Sequence, residues 1–115
     1  MLVNKTTNKT IIKDIRVASN FFAKLKGLMF ERKERFNYAL IMVLKNETRI
    51  GASIHMLFVF FPIAVFFLDA KKRIVDKTLL KPFSLNYTPK RACKYIVELP
   101  ANRFTAAKIG DILQW

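Results

Sequence analysis

Cysteine occurs once, at Cys93, in a chain of 115 residues, and glycine only three times. A single cysteine excludes an internal disulfide and any cysteine-based metal cluster. It fits a reducing compartment, so a cytoplasmic location is expected. With three glycines there is no glycine-rich phosphate loop. Histidine also occurs once, at His55, so no ligand spacing for a metal exists, and neither a metal nor a cofactor is expected. Negative charge is scarce too: 8 Asp and Glu face 21 Lys and Arg, a formal net charge of +13. Such an excess repels itself in the compact state and attracts polyanions; a lineage-wide bias toward lysine is the plainer source of it. The first residues carry no apolar core of a secretory signal, since Leu2 and Val3 are followed at once by Asn4, Lys5 and Thr6.

Apolar residues are plentiful. A hydrophobic fraction of 52% with 11 Phe suffices for one core, and residues 1–115 are expected to form a single domain with a flexible polar start at 1–9. The longest uncharged run covers 50–68, between Arg49 and Asp69. Its 19 residues would suit a membrane-spanning helix. Pro62 in its interior and its Phe, Val and Ile content favour two core strands instead, 54–61 and 63–69. Basic residues flank both ends, so charge gives no membrane orientation. Association with a membrane through the 50–68 run is kept as an alternative.

The rest of the chain reads as a mixture of strands and one or two helices. Residues 10–17 interleave β-branched and charged side chains, as a first strand would. Ser19 is a suitable N-cap for a helix with Phe21, Phe22, Leu25, Leu28 and Met29 on one face. Residues 38–44 are apolar throughout, which predicts a strand covered on both sides. Residues 45–49 make a polar connection. Residues 63–69 and 74–80 form a hairpin around the 69–73 turn. Residues 81–94, with Pro82, Asn86 and Pro89, read as an exposed loop. A strand at 95–99 stops at Pro100, a short helix follows at 102–108, and 112–115 closes as a last strand. The sum is an α+β domain, mostly antiparallel β, curled into a small partly closed barrel.

Five strings then stand in order: Lys26-Gly27-Leu28-Met29; Ile54-His55-Met56; Phe61-Pro62-Ile63 with Phe67-Leu68-Asp69; Lys94-Tyr95-Ile96-Val97-Glu98-Leu99-Pro100; and Ile109-Gly110-Asp111. This ordered set resembles the family catalogued as domain of unknown function 192, also called uncharacterised protein family 127, in an archaeal-type form. The resemblance covers about 18–115. It implies the barrel-like β domain and no established activity. Where the family has an Asp after Phe-Pro-Ile this chain has Ala64, and where it has an Arg before Phe-Pro this chain has Phe60. The resemblance therefore implies a more apolar centre here.

Candidate chemistry is sparse. His55 has a pKa suited to acid–base work, yet a base needs an orienting partner and none is evident nearby. Asp69 opens a turn. Glu98 alternates with Val97 and Leu99, as a solvent-facing strand residue would. Cys93, between Arg91 and Lys94, would have a lowered thiol pKa if exposed. His55, Asp69, Tyr95 and Glu98 are the candidate ligand-binding residues; no catalytic set is assigned, and the protein leans away from being an enzyme. Residues 71–94 hold eight cations against one acid, with Phe83 and Tyr87 interleaved. Lys71, Lys72, Arg73, Lys77, Lys81, Lys90, Arg91 and Lys94 are thus the candidate polyanion-binding residues, cations for phosphates and rings for bases. The expected role is a non-catalytic binding or accessory module, with non-specific nucleic-acid binding as the alternative. Ligand, partners and oligomeric state stay open.

Overall fold

A computed structural model describes residues 1–19, 28–29, 31–54, 56, 59–84 and 86–115. Among them eight strands follow in chain order: β1 (Leu2–Asn4), β2 (Lys9–Ile12), β3 (Asp14–Ala18), β4 (Tyr38–Thr48), β5 (Ile63–Leu68), β6 (Ile74–Leu80), β7 (Cys93–Pro100) and β8 (Leu113–Gln114). Short 3-10 turns occupy Lys33–Arg35, Ile50–Ala52 and Ala101–Ala106.

The strands form two sheets, ordered β2-β1-β8 and β3-β4-β7-β5-β6. All pairs are antiparallel except β3 with β4. The fold is mostly β. Among the described residues, each sheet runs from one edge strand to another, and no ladder joins their edges into a barrel.

The hairpin of β5 and β6 forms where expected. Asp69 accepts the amides of Lys71 and Arg73 through Oδ1, which tightens the turn. Ile63 then faces Leu80 and Phe67 faces Asp76. β5 lies between β6 and β7, and all six of its residues are buried. Strand side chains alternate between faces, so a strand covered on both sides is apolar at every position. Phe66 and Phe67 accordingly enter two different cores. On the first face Ile63, Val65 and Phe67 meet Met42, Ile96, Phe36 and Phe61. On the second, Ala64, Phe66 and Leu68 meet Leu99 and, from the smaller sheet, Leu2, Ile12 and Leu113. Each fully buried Phe contributes about 1.5–3 kcal/mol relative to an exposed one.

Several expectations change. Residues 1–9 are not a flexible lead: Leu2 is fully buried in β1, held between β2 and β8. The strand expected over 10–17 is broken at Lys13, with β2 in one sheet and β3 in the other. β4 continues through the polar connection as far as Thr48. No strand runs over the described part of 54–61; Ile54 makes only an isolated bridge to Tyr87. The helix expected at 102–108 is a 3-10 turn at Ala101–Ala106 with no side-chain N-cap. The predicted helix beginning after Ser19 lies largely outside the described residues. Leu28, at its expected end, is buried in the first core. No helix among the described residues is long and apolar enough to cross a membrane.

Candidate functional site

Among the described residues, four polar or charged ones are buried: Asn4, Asp76, Glu98 and Asp111. Three of them are bonded into the scaffold. Asn4 donates through Nδ2 to Asp111 Oδ2 at 2.8 Å and accepts the Thr6 amide at 3.1 Å. Asp111 also accepts the Lys108 amide at 3.0 Å. These two bonds hold its carboxyl below the ordinary carboxylate range. Asp76 accepts the Tyr87 hydroxyl at 2.8 Å and the Lys90 amide at 3.0 Å, both on Oδ2.

Glu98 differs. It lies on β7, in the middle of the five-stranded sheet, only 4% exposed. Its Oε1 is enclosed with no hydrogen-bond partner. Burial pushes its carboxyl up to about 7. The register aligns Glu98 with Leu40 on one side and Val65 on the other, and Leu40 in turn with Arg16. The solvent-facing orientation suggested by its alternation with Val97 and Leu99 is incorrect, because both faces of β7 are covered.

A second polar group stands near it. The Tyr38 hydroxyl donates to Glu31 Oε2 at 3.0 Å, and the Arg16 guanidinium lies 3.8 Å from the Tyr38 ring centroid. Burial, then the Glu31 bond, push the Tyr38 hydroxyl up to about 12; the Glu98 carboxylate adds to the rise. Phe36 packs edge-on to Tyr38 at 5.2 Å and against Phe61 at 5.3 Å. These two Phe residues, with Pro62, Pro100, Ala101, Lys33 and Asn102, line a cleft of about 310 Å³. Pro100 is two residues beyond Glu98 and therefore on the same face of β7. Sequence reasoning missed Tyr38, Phe36, Phe61 and Arg16, which read individually as core or surface residues. The signal available was a carboxylate inside a strand followed by Pro100.

Of the residues proposed from sequence as ligand-binding, the described ones, Asp69, Tyr95 and Glu98, are not all gathered on one face. Glu98 faces the first core, whereas Tyr95 packs on the second core and edge-on to Trp115 at 5.1 Å. Asp69 caps its own turn. His55 lies outside the described residues. Ala64 belongs to the second core, on the face of β5 opposite that of Val65. The Cys93 thiol is buried, and burial followed by the Glu47 and Asp76 charges pushes it up to about 12, the reverse of an activated thiol.

The cations of 71–94 are spread over both faces. Lys72 Nζ sits 3.9 Å from the Trp115 ring centroid. The Arg73 guanidinium donates to the Gly110 carbonyl, and Lys77 Nζ donates to the carbonyls of Phe104 and Ala107. Lys94 Nζ donates to the Lys45 carbonyl. Lys71, Lys81, Lys90 and Arg91 are exposed. The 81–94 loop is bound to the body: Ile54 and Tyr87 exchange backbone bonds of 2.8 and 2.7 Å, and the Phe83 amide donates to Met56 at 3.0 Å. Phe83 (φ 59°) and Phe60 meet edge-on at 5.1 Å and are 48% and 58% exposed.

The model of the family DUF192, described as "Uncharacterized ACR", matches residues 2–115. A UPF0127 protein of Pyrococcus furiosus is 47% identical over 116 residues, covering 99% of this chain and 97% of that one. A UPF0127 protein of Thermococcus sibiricus is 40% identical, covering 100% of this chain and 74% of the other. Among solved structures, a Novosphingobium aromaticivorans protein of unknown function superposes with a TM-score of 0.76 at 19% identity, over 88% of this chain and 74% of that one. A proposed transcription regulator of Sinorhizobium meliloti superposes with a TM-score of 0.79 at 17% identity, over 87% and 79% respectively. At those identities the likeness concerns the fold.

Proposed function

The chain belongs to the DUF192 family, and from that premise we propose that it is a small binding module whose ligand site is the cleft beside Phe36 and Phe61. The observation that carries this reading is the aromatic-walled cleft, whose lining residue Pro100 shares a strand face with Glu98, a buried carboxyl with one oxygen unpaired. Small-molecule sites combine mostly apolar walls with a few placed polar groups, at volumes from about 300 Å³ upward. Phe36, Phe61 and the two prolines give the walls, and Lys33 and Asn102 supply polar groups. Neither a metal nor a redox cofactor enters this reading, and the single cysteine supports a cytoplasmic setting.

The test is a fragment titration of the whole protein followed by NMR. Aromatic fragments are expected to shift the signals of Phe36, Phe61, Pro100 and Asn102 together. Signals that stay in place across a chemically broad set refute the cleft as a site.

One observation favours polyanion binding as a second reading. Phe83 exposes its ring on the loop that carries Lys81, Lys90 and Arg91, and meets the exposed ring of Phe60. Affinity for single-stranded nucleic acid should then fall with salt at a log–log slope near about −0.7 per phosphate contacted. Replacing Lys81, Lys90 and Arg91 together should flatten that slope. Binding that is unchanged in the triple variant, or strongly selective for sequence, removes this reading.

A further inference from the structure

We infer that Glu98 is the inner recognition group of the cleft, and that the molecule it selects carries a hydrogen-bond donor, an amine or a hydroxyl, on an apolar body. The inference rests on the cleft being a ligand site.

The first ground is an exception within the protein's own polar interior. Asn4, Asp76 and Asp111 each hold short bonds, whereas Glu98 leaves Oε1 enclosed and unpaired. A buried acceptor without a donor is costly, and folds retain one where something else provides the donor. Among the described residues, the groups around it do not. The Tyr38 hydroxyl points its proton at Glu31, and the Arg16 guanidinium lies on the Tyr38 ring. Across the sheet, Glu98 is flanked by Leu40 and Val65, which have no side-chain donor.

The second ground is position. Pro100 lines the cleft and lies two residues from Glu98 on the same face, about 7 Å along the strand. Glu98 stands behind the lining residues, so a molecule seated against Pro100 and Phe61 would reach its carboxyl with a short arm passing between them. The third ground is the walls. Phe36 and Phe61 present aromatic surfaces in the cleft, and such surfaces favour a protonated amine over an anion. Lys33, at the mouth, is the one cation lining the cleft among the described residues. It would accommodate an additional acidic group at the outer end of the ligand.

Three probes sharing a phenyl body and a two-carbon arm test this: 2-phenylethylamine, 2-phenylethanol and 3-phenylpropanoate. Each is titrated into the whole protein, with the Glu98 carboxyl carbon and the Phe36 and Pro100 signals followed by NMR. The amine and the alcohol should bind at least tenfold more tightly than the carboxylate and move the Glu98 signal. Glu98→Gln, a near-isosteric change, should lower the affinity for the amine at least tenfold while sparing the alcohol. Equal binding of all three probes, with the Glu98 signal fixed, overturns the inference and leaves the cleft reading standing. Failure of every probe to shift Phe36 or Pro100 overturns both. Should the Gln variant not fold, the Glu98 carboxyl signal of the unaltered protein still decides.

Discussion

Tyr87 and Asp76 form a bond that fastens a loop to a sheet edge. The Tyr87 hydroxyl donates to Asp76 Oδ2 at 2.8 Å while its ring stacks on Phe67 at 5.7 Å. Asp76 sits on β6, an edge strand, so this pair carries the 81–94 loop back to the body of the protein. Tyr87→Phe keeps the ring and removes the hydroxyl. It should cost about 1–3 kcal/mol, because it strips a partner from a buried carboxylate. Urea unfolding measures it, and a loss below about 0.5 kcal/mol, the range of ordinary surface changes, would show the bond to be immaterial.

Glu98 sets a pH dependence opposite to that of most carboxylates. Its folded pKa is raised to about 7 from an ordinary 4.5, so the folded state holds the proton longer than the unfolded one. The stability this contributes is complete below about 4.5 and is lost as pH rises through about 7. The loss is on the order of 3 kcal/mol. Glu98→Gln should abolish it and make the protein more stable than the parent at pH values above 7. Denaturant midpoints for both proteins across that window are the measurement. Identical profiles would mean that Glu98 is ionised in the folded protein without penalty.

Asp111 acts in the ordinary direction. Its carboxyl is held below 3.8 by the Lys108 amide and by Asn4. Its contribution is present above that value and is lost as pH falls through the lowered folded pKa. Asn4→Ala, which removes one of the two donors to Asp111 Oδ2 and leaves the Lys108 amide as the other, should destabilise the protein by about 1 kcal/mol and reduce this acid sensitivity. Acid unfolding curves that superimpose would contradict the role given to Asn4.

At the alkaline end Cys93, Tyr38 and Tyr87 are all raised to about 12, from 9 for the thiol and 10 for the phenols. Raised folded values mean stability that is complete below 9 and lost as pH climbs through about 12. Tyr87→Phe should blunt that alkaline decline. An unchanged slope between those limits in the variant would refute Tyr87's share of it.

Phe83 holds a backbone angle, φ 59°, that suits glycine or asparagine far better than a ring. Pro82 precedes it in the turn, whose Lys81 carbonyl accepts the Ser84 amide at 3.2 Å. Phe83→Asn should therefore be more stable than Phe83→Val by about 1 kcal/mol, although both lose the Phe60 contact equally. Thermal melts of the two variants are the comparison, and equal melting temperatures would place the turn in another conformation.

The β5–β6 hairpin was readable because its signals are local: Pro62 before it, Asp69 at the turn, and apolar runs on each side. The division of 10–17 was not. β2 and β3 share one alternation through Lys13, and their partners, β1 and β4, are chosen by packing between distant segments. Over its described residues the 54–61 strand failed for the opposite reason, since its apolar content reports burial and not pairing. Phe61 and Val59 are core residues outside any strand. Glu98 was visible as a residue and invisible as a site. Alternation assigns a polar strand residue to solvent only when one face is bare, and here the smaller sheet and the Phe36–Phe61 cluster cover both.

Pairing Val3 with Gln114 gives the smaller sheet an unusual place in time. The Asn4–Asp111 bond beneath it joins residues 107 apart in sequence. On the ribosome β1 emerges before β2, which can fold back on it, but Asp111 emerges 107 residues after Asn4, with β8 later still. Until then Leu2 and the second face of the large sheet lack part of their cover. Assembly of that face thus waits on nearly the whole described chain, an ordering that makes its closure a late, slow event dominated by distant contacts.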